Sequence, residues 1–273
     1  MKSVHSISIL GCGWLGLPLA VALQKEGYHV KGSTTSIQKI SSLSSFGIEP
    51  YHLTIDSQIK GDSLDSFFQS DCLFLNIPFK RDFADPTMYA KQMEIVVNRI
   101  KQSPISWVIF TSSTAVYPAL IGEAREGDSF KPDNLRSIVL KKIEEMLMAE
   151  KSFDTTIIRF AGLFGDGRLI GKFLAGERNL SGGNNPVNLI HLEDAIGLIQ
   201  SLIRKNIRNE ILNACSDDHP PRKELYRKAA QSSGFPLPIF SGEEITANKI
   251  VSNEKIKRLL NYTFKFPDPM ECV

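Results

Sequence analysis

Through the first half of the chain, short apolar runs alternate with longer segments in which apolar residues return every three or four positions. Ile7-Ser8-Ile9-Leu10, Tyr28-His29-Val30, Tyr51–Ile55, Cys72–Ile77, Trp107-Val108-Ile109-Phe110 and Thr155–Ile158 read as strands. Helical patterns lie between them over Leu17–Glu26, Ser36–Ser45, Asp62–Phe68 and Leu135–Glu150. A further helix opens at Asp85-Pro86, an N-cap followed by proline at the first helical position. Its Met88, Met93, Val96, Val97 and Ile100 form a core-facing stripe. Strands alternating with helices, several of them continuously apolar, predict an α/β fold whose parallel sheet is covered on both faces.

From Leu163 onward the pattern loosens. Gly165, Gly167, Gly171, Gly176 and the run Gly182-Gly183-Asn184-Asn185-Pro186 mark loops. Helical segments over Leu192–Lys205, Arg222–Ser232 and Ser252–Leu260 are separated by connectors such as Phe235-Pro236-Leu237-Pro238. This reads as a domain over 1–162 followed by a small, loop-rich lobe over 163–273, some of whose elements return to the sheet.

Whole-chain quantities narrow the function classes. At 273 residues the chain can bury a substantial core, and a net charge of +2 points to a small-molecule substrate, with no nucleic-acid or membrane partner. Cys12, Cys72, Cys215 and Cys272 show neither a CxxC nor regular spacing, as expected of thiols in the cytoplasm, and no metal site is expected. Lys2, the run Ile7–Leu23 and Ala20-Val21-Ala22 imitate a secretory signal peptide. Glycines at turn spacing, and Pro18 in the first helical turn, fit a strand–turn–helix unit better.

That turn is Gly11-Cys12-Gly13-Trp14-Leu15-Gly16, a G-x-G-x-x-G between the first strand and the first helix. Gly11 permits the tight turn, Gly13 lets backbone approach a pyrophosphate, and Gly16 lets the helix pack on the strand. With Trp14 and Leu15 these residues form a dinucleotide-phosphate site at a helix N-terminus, and the fold is expected to be a Rossmann-type doubly wound sheet.

Further stretches follow in a definite order: Thr111-Ser112-Ser113-Thr114-Ala115-Val116-Tyr117, Arg159, Asn188-Leu189-Ile190-His191-Leu192-Glu193-Asp194-Ala195, Ile211-Leu212-Asn213-Ala214, and Asn253–Lys257 with Leu259–Tyr262. Together with the glycine turn they resemble the extended short-chain dehydrogenase/reductase family, the nucleotide-sugar epimerases and dehydratases. The resemblance covers nearly the whole chain. It implies a nicotinamide cofactor and an active site at the carboxyl ends of the strands. A Ser or Thr would hold the reacting oxygen, a Tyr would transfer its proton, and a Lys four residues later would hold the nicotinamide ribose and lower the Tyr pKa.

Ser113 matches the first role and Lys141, in the helix from Leu135, the third. The Tyr position then falls on Ser137, a much weaker acid, and no tyrosine occurs between Tyr117 and Tyr226. Tyr117 or His191 could serve instead, whereas Asp194 is as well explained as a helix cap.

Cofactor choice is read at the end of the second strand. NAD enzymes place an acid there for the ribose 2′-hydroxyl. This chain has none between Glu26 and Glu49, and carries Ser33, Thr34 and Thr35 with Lys39 beyond. Hydroxyls and a cation suit a 2′-phosphate, hence NADP, with NAD the second choice. By the resemblance, Asp56 would contact the adenine, and Asn76 and Ile77 the adenine-side ribose.

Three readings follow. The first is an NADP-binding epimerase/dehydratase-like oxidoreductase acting on a sugar-nucleotide-like or other polar carbonyl or alcohol substrate, as a monomer or homodimer. The second is a cofactor-binding protein without redox turnover, a sensor or interaction module, favoured by Ser137 at the Tyr position. The third is a hydroxyacid dehydrogenase of the phosphogluconate or hydroxyisobutyrate type, whose N-terminal turn is similar but which continues into a long all-helical domain.

Overall fold

The computed structural model describes residues 3–79, 86–120, 122–242 and 244–273. The expected N-cap Asp85, and Lys2 of the signal-peptide pattern, lie outside the described residues. In chain order the elements are β1 (Ser6–Leu10), α1 (Gly16–Lys25), β2 (His29–Thr34), α2 (Ile40–Ser45), β3 (Glu49–Ile55), β4 (Ile59–Gly61), α3 (Leu64–Phe67), β5 (Cys72–Leu75), α4 (Thr87–Ile100) and β6 (Trp107–Ser113). They continue with β7 (Glu123–Ala124), α5 (Leu135–Ala149), β8 (Asp154–Phe160), β9 (Gly162–Phe164), β10 (Leu189–His191), α6 (Leu192–Lys205), β11 (Ile211–Ala214), α7 (Arg222–Ser232), β12 (Ile250–Val251) and α8 (Glu254–Leu260).

One sheet of eight strands has the order β11-β8-β6-β5-β1-β2-β3-β4. β1 pairs in parallel with both β2 and β5, Ile7 standing opposite Val30 on one side and Cys72 on the other. β2–β3 and β5–β6 are also parallel. The order therefore reverses at β1/β5, and a doubly wound sheet binds its ligands at the carboxyl ends of the strands beside such a reversal. Ile7, Ile9, Phe74, Leu75, Val108 and Phe110 are fully buried or nearly so, whichever sheet face they occupy, as strands covered on both faces must be. This is the doubly wound α/β architecture the sequence pattern predicts, and Ile7–Leu23 folds as its first βα unit.

Three local expectations differ from the structure, and one element was not foreseen. β2 runs on to Thr34 because Lys31, polar in sequence, is buried with its ammonium bonded to Ser66 O (2.6 Å) and Gln69 O (2.9 Å). The helix expected over Ser36–Ser45 is a 3-10 turn, Ile37–Lys39, followed by the six-residue α2. Met88 is not in the core: it is 52% exposed, and Tyr89 and Ala90 take the buried positions with Met93, Val96, Val97 and Ile100. β4, too short for a periodic signal, turns back on β3 as the sheet's antiparallel edge.

The chain divides into two compact units that exchange segments. The first holds Met1–Ser112, Asn134–Ile158 and Leu202–Ile211; the second holds Ser113–Asp133, Arg159–Ser201 and Leu212–Val273. Within the second, β9 pairs with β10 and β7 with β12, all in parallel. Phe164, Ile170, Val187, Leu189, Leu225 and Ala229 form a core of its own, with Tyr226, Met270 and Val273 packed against it. A unit that mixes strands with helices is not the all-helical domain of a hydroxyacid dehydrogenase. Among the described residues no helix is long and apolar enough to cross a membrane.

Candidate functional site

In the first unit the glycine turn lies where the strand order reverses. Gly11 has φ +111°, a conformation that L side chains rarely adopt, and its N–H donates to Ser33 Oγ at 3.0 Å. Its carbonyl accepts Asn76 Nδ2 at 3.0 Å, which ties the end of β1 to the residue just after β5. A Cβ on Gly11 would strike Asn76 O, and one on Gly16 would strike Gly11 O. Both glycines are therefore demanded by the protein's own packing. Gly13 is different: exposed, at ordinary φ, with no protein atom within 4 Å of where its Cβ would stand. Nothing in the fold requires glycine there, whereas an approaching pyrophosphate does.

The adjoining N-terminus of α1 has no side-chain cap and no acid in its first turn, so its positive end is open to an anion, although Leu17 N–H already donates to Gly13 O at 3.0 Å and Pro18 has no N–H to offer. Leu15, buried, immediately precedes the helix, and Trp14 is half-buried at the turn's rim. Cys12 is no nucleophile, since burial pushes its thiol up to about 12.

At the end of β2 the hydroxyls divide. Ser33 is buried and supports Gly11, while Thr34 Oγ1 receives Ser36 N–H at 3.1 Å. Thr35 and Lys39 are exposed. Asp56 is exposed beyond β3 and pairs with Lys60 at 3.9 Å. Past β5, Asn76 Oδ1 accepts Thr111 Oγ1 (3.2 Å) and Ile77 O accepts the Tyr89 hydroxyl (2.8 Å).

α5 presents the two remaining sequence-predicted residues of this unit. Ser137 is fully buried and belongs to a capping box: its N–H donates to Asn134 Oδ1 (2.9 Å) and its Oγ receives Asn134 N–H (3.2 Å). Its own hydroxyl proton goes to Asn134 O at 2.8 Å. Ser137 therefore starts the helix, and that bonding leaves it no proton to transfer. Lys141, one turn on and about a third exposed, pairs with Glu145 at 3.8 Å. Sequence reasoning missed Glu144, a buried carboxylate that accepts the Ser112 hydroxyl at 2.6 Å.

The second unit holds Ser113, whose Oγ accepts Ala115 N–H at 3.2 Å and so caps the 3-10 turn Thr114–Val116. Tyr117, next in the chain, is 2% exposed. Its hydroxyl accepts Arg159 Nη1 (2.7 Å) and donates to Asn213 Oδ1 (3.0 Å). The guanidinium also stands over the Tyr117 ring, 4.9 Å from its centroid. Burial raises the phenol's pKa despite that cation, so Tyr117 is a structural tie. The Tyr117, Arg159 and Asn213 positions of the motifs are absorbed in one buried cluster.

His191 packs against Phe266, ring centroids 3.8 Å apart, and its Nδ1 accepts Glu193 N–H at 3.3 Å. Burial lowers its pKa, partly offset by Glu193, Asp194 and Asp166. Asp194 is fully buried and takes three donors from the C-terminal segment: Tyr262 Oη (3.0 Å), Lys265 N–H (2.8 Å) and Phe266 N–H (3.0 Å). It is a clasp, neither acid nor helix cap. Lys249, which carried no motif signal, places its ammonium on Thr114 O at 2.9 Å and Tyr117 O at 3.5 Å.

No family model matches the sequence. A curated relative, Protein YeeZ of Escherichia coli strain K12, is 33% identical over 270 residues, covering 98% of each chain. The chain belongs to the YeeZ family. Solved structures share the fold. A putative NAD-dependent epimerase/dehydratase from Methylobacillus flagellatus matches with TM-score 0.74 at 24% identity, over 98% of this chain and 96% of that one. A short-chain dehydrogenase/reductase superfamily protein from Agrobacterium tumefaciens with bound NAD matches at TM-score 0.74 and 17% identity, over 97% and 94%. MoeE5 in complex with UDP-glucose and NAD matches at TM-score 0.76 and 15% identity, over 98% and 96%. The expectation of an extended short-chain dehydrogenase/reductase fold is met in this YeeZ-family chain.

Proposed function

We propose that the protein binds a nicotinamide dinucleotide at Gly11–Gly16 and acts as an epimerase/dehydratase-like oxidoreductase on a nucleotide-sugar-like or other polar carbonyl or alcohol substrate. The observation that carries this reading is Gly13, a glycine that no contact within the protein explains, in a turn beside the strand-order reversal. Neighbours of the same fold that hold NAD, and in one case UDP-glucose, support it.

Gly11, Gly13, Trp14, Leu15 and Gly16 would hold the pyrophosphate, with Ser33 and Asn76 bracing the turn. Thr34, Thr35 and Lys39 would take a 2′-phosphate, Asp56 and Ile77 the adenosine, and Lys141 the nicotinamide ribose. Ser113 would hold the reacting oxygen. When bound, the nicotinamide supplies or accepts a hydride. NADP is preferred because β2 ends in hydroxyls with an exposed lysine beyond and no acid. One charge-assisted contact contributes about 1.5–3 kcal/mol, so NADPH should bind about tenfold or more tightly than NADH. Calorimetric titration checks this, and equal or tighter NADH binding refutes the preference.

One observation favours a second reading, cofactor binding without redox turnover. The residue at the Tyr position, Ser137, has its hydroxyl committed to a helix cap. Nicotinamide absorbance recorded with UDP-glucose, other nucleotide sugars and simple alcohols separates the two readings.

A further inference from the structure

At the carboxyl end of β5 the chain leaves the sheet through Asn76-Ile77-Pro78-Phe79, and this strip lies against the glycine turn. Asn76 Nδ2 donates to Gly11 O at 3.0 Å, and a Cβ on Gly11 would stand 3.7 Å from Ile77 N. Pro78 disfavours a helical Ile77, and the four residues belong to no regular element. No ladder holds them, so their shape must come from side chains.

Side chains from β6, α4 and α5 supply it, all within the first unit. Asn76 Oδ1 accepts the Thr111 hydroxyl at 3.2 Å, and Ile77 O accepts the Tyr89 hydroxyl at 2.8 Å. The Tyr89 ring, buried, stacks on Phe79 with centroids 4.5 Å apart and planes 14° from parallel. From the first turn of α5, Arg136 Nη2 donates to Phe79 O, and its guanidinium stands over the Phe79 ring, 4.2 Å from the centroid. Arg136 therefore grips Phe79 by backbone and ring together.

Helix formation alone does not favour an arginine there. A cation in a first turn opposes the helix dipole, and the first turn of α5 holds no acid to offset it. The capping box of Asn134 and Ser137 fixes the backbone on either side of Arg136. Ser137 thus seats the helix start that carries the arginine.

We propose that Arg136 is a positioning residue for the dinucleotide, holding Asn76–Phe79 in the shape that completes the wall of the phosphate turn. This rests on the reading of Gly11–Gly16 as the dinucleotide site, and it gives Arg136 no contact with the cofactor itself. Without the clamp the strip samples other shapes, and apparent affinity falls in proportion to the fraction of molecules that keep the binding one. Lys141 follows on the same helix, so the clamp also ties the residue assigned to the nicotinamide ribose to the strip beside the turn.

NADPH and NADH titrations of the parent, Arg136→Ala, Phe79→Leu and the double variant form the test. Thermal melts locate the temperature below which each protein is folded, so that affinities compare folded molecules. Arg136→Ala and Phe79→Leu should each weaken NADPH binding at least about tenfold, a competent fraction of about one in ten. They break one clamp, so the double variant should bind no more than about threefold weaker than the weaker single one. NADH should weaken by the same factor as NADPH. The salt dependence of NADPH affinity should stay that of the parent in Arg136→Ala, because the arginine acts on Phe79 and not on a phosphate. Arg136→Lys, whose ammonium can still bond the Phe79 carbonyl, should lie between the parent and Arg136→Ala. Should Arg136→Ala not fold, Phe79→Leu decides the question, since it leaves α5 untouched.

A folded Arg136→Ala protein that binds NADPH within about twofold of the parent would reduce the clamp to a structural one. Losses that add fully in the double variant would make the two residues independent, and a flattened salt dependence would put Arg136 directly on a phosphate. Each of these overturns the proposal and leaves the dinucleotide reading standing. A parent protein that binds neither NADPH nor NADH removes that reading, and the proposal falls with it.

Discussion

Replacing Gly13 with alanine separates what the turn does for folding from what it does for a ligand. The added Cβ meets no protein atom within 4 Å, and the residue does not lie at positive φ. Alanine should therefore leave the fold intact, and by restricting the unfolded chain it should stabilise it by about 0.4–1 kcal/mol. Thermal unfolding should shift upward by no more than about 4 °C. Binding should respond in the opposite sense, because the methyl group occupies the space a pyrophosphate needs. Loss of two charge-assisted bonds from the backbone of the turn, at about 1.5–3 kcal/mol each, weakens NADPH binding roughly a hundredfold to ten-thousandfold. Gly11→Ala is the control, since φ +111° and the collision with Asn76 O make it destabilising before any ligand arrives. Calorimetry with NADPH, beside circular dichroism melts of both variants, provides the measurement. A Gly13→Ala protein that binds NADPH as tightly as its parent would show that the phosphate site lies elsewhere.

Other expectations follow from the same geometry. Ser137→Ala removes half of the capping box and should lower stability by about 0.5–2 kcal/mol in chemical denaturation while NADPH affinity is unchanged; a selective loss of turnover at full stability would show the serine to be catalytic. Tyr117→Phe deletes the hydroxyl between Arg159 and Asn213 and should destabilise by about 1–3 kcal/mol, measured by urea unfolding, without moving the cofactor affinity. Burial holds the His191 pKa below its ordinary 6.5, so its contribution to stability is full above that value and is lost as pH falls through 6.5 toward the folded-state value. His191→Gln should flatten the stability–pH curve in that window, and an unchanged acid limb would refute the assignment.

The sequence was legible where a local pattern carries the structure. α6 and α7 have the limits that periodicity indicates, Leu192–Lys205 and Arg222–Ser232, the second bracketed by Pro220-Pro221 and Pro236. The strand–glycine–helix unit is likewise a local pattern with its steric reasons built in. Readings failed where distant partners decide. Lys31 looks like the polar end of a strand until Ser66 O and Gln69 O, on another segment, receive its ammonium. Tyr117 reads as an acid until Arg159 and Asn213, 42 and 96 residues away, close on its hydroxyl. Lys249 carried no signal, because its meaning comes from a turn 135 residues earlier in the chain. The Asn134–Ser137 cap is just as local, three positions apart, yet the family resemblance points to Ser137 as the Tyr position and not as a cap partner.

The Asp194 clasp has a consequence for truncation. The three donors that meet this buried side chain come from Tyr262, Lys265 and Phe266, 68 to 72 residues further along the chain. Without them, closing the structure around the start of α6 would strip Asp194 of water and offer it nothing in return. The packing around α6 therefore completes only when that later segment is in place. A protease cut before Tyr262 would remove the latch, and the fragment would have to keep Asp194 in water by loosening the structure around it.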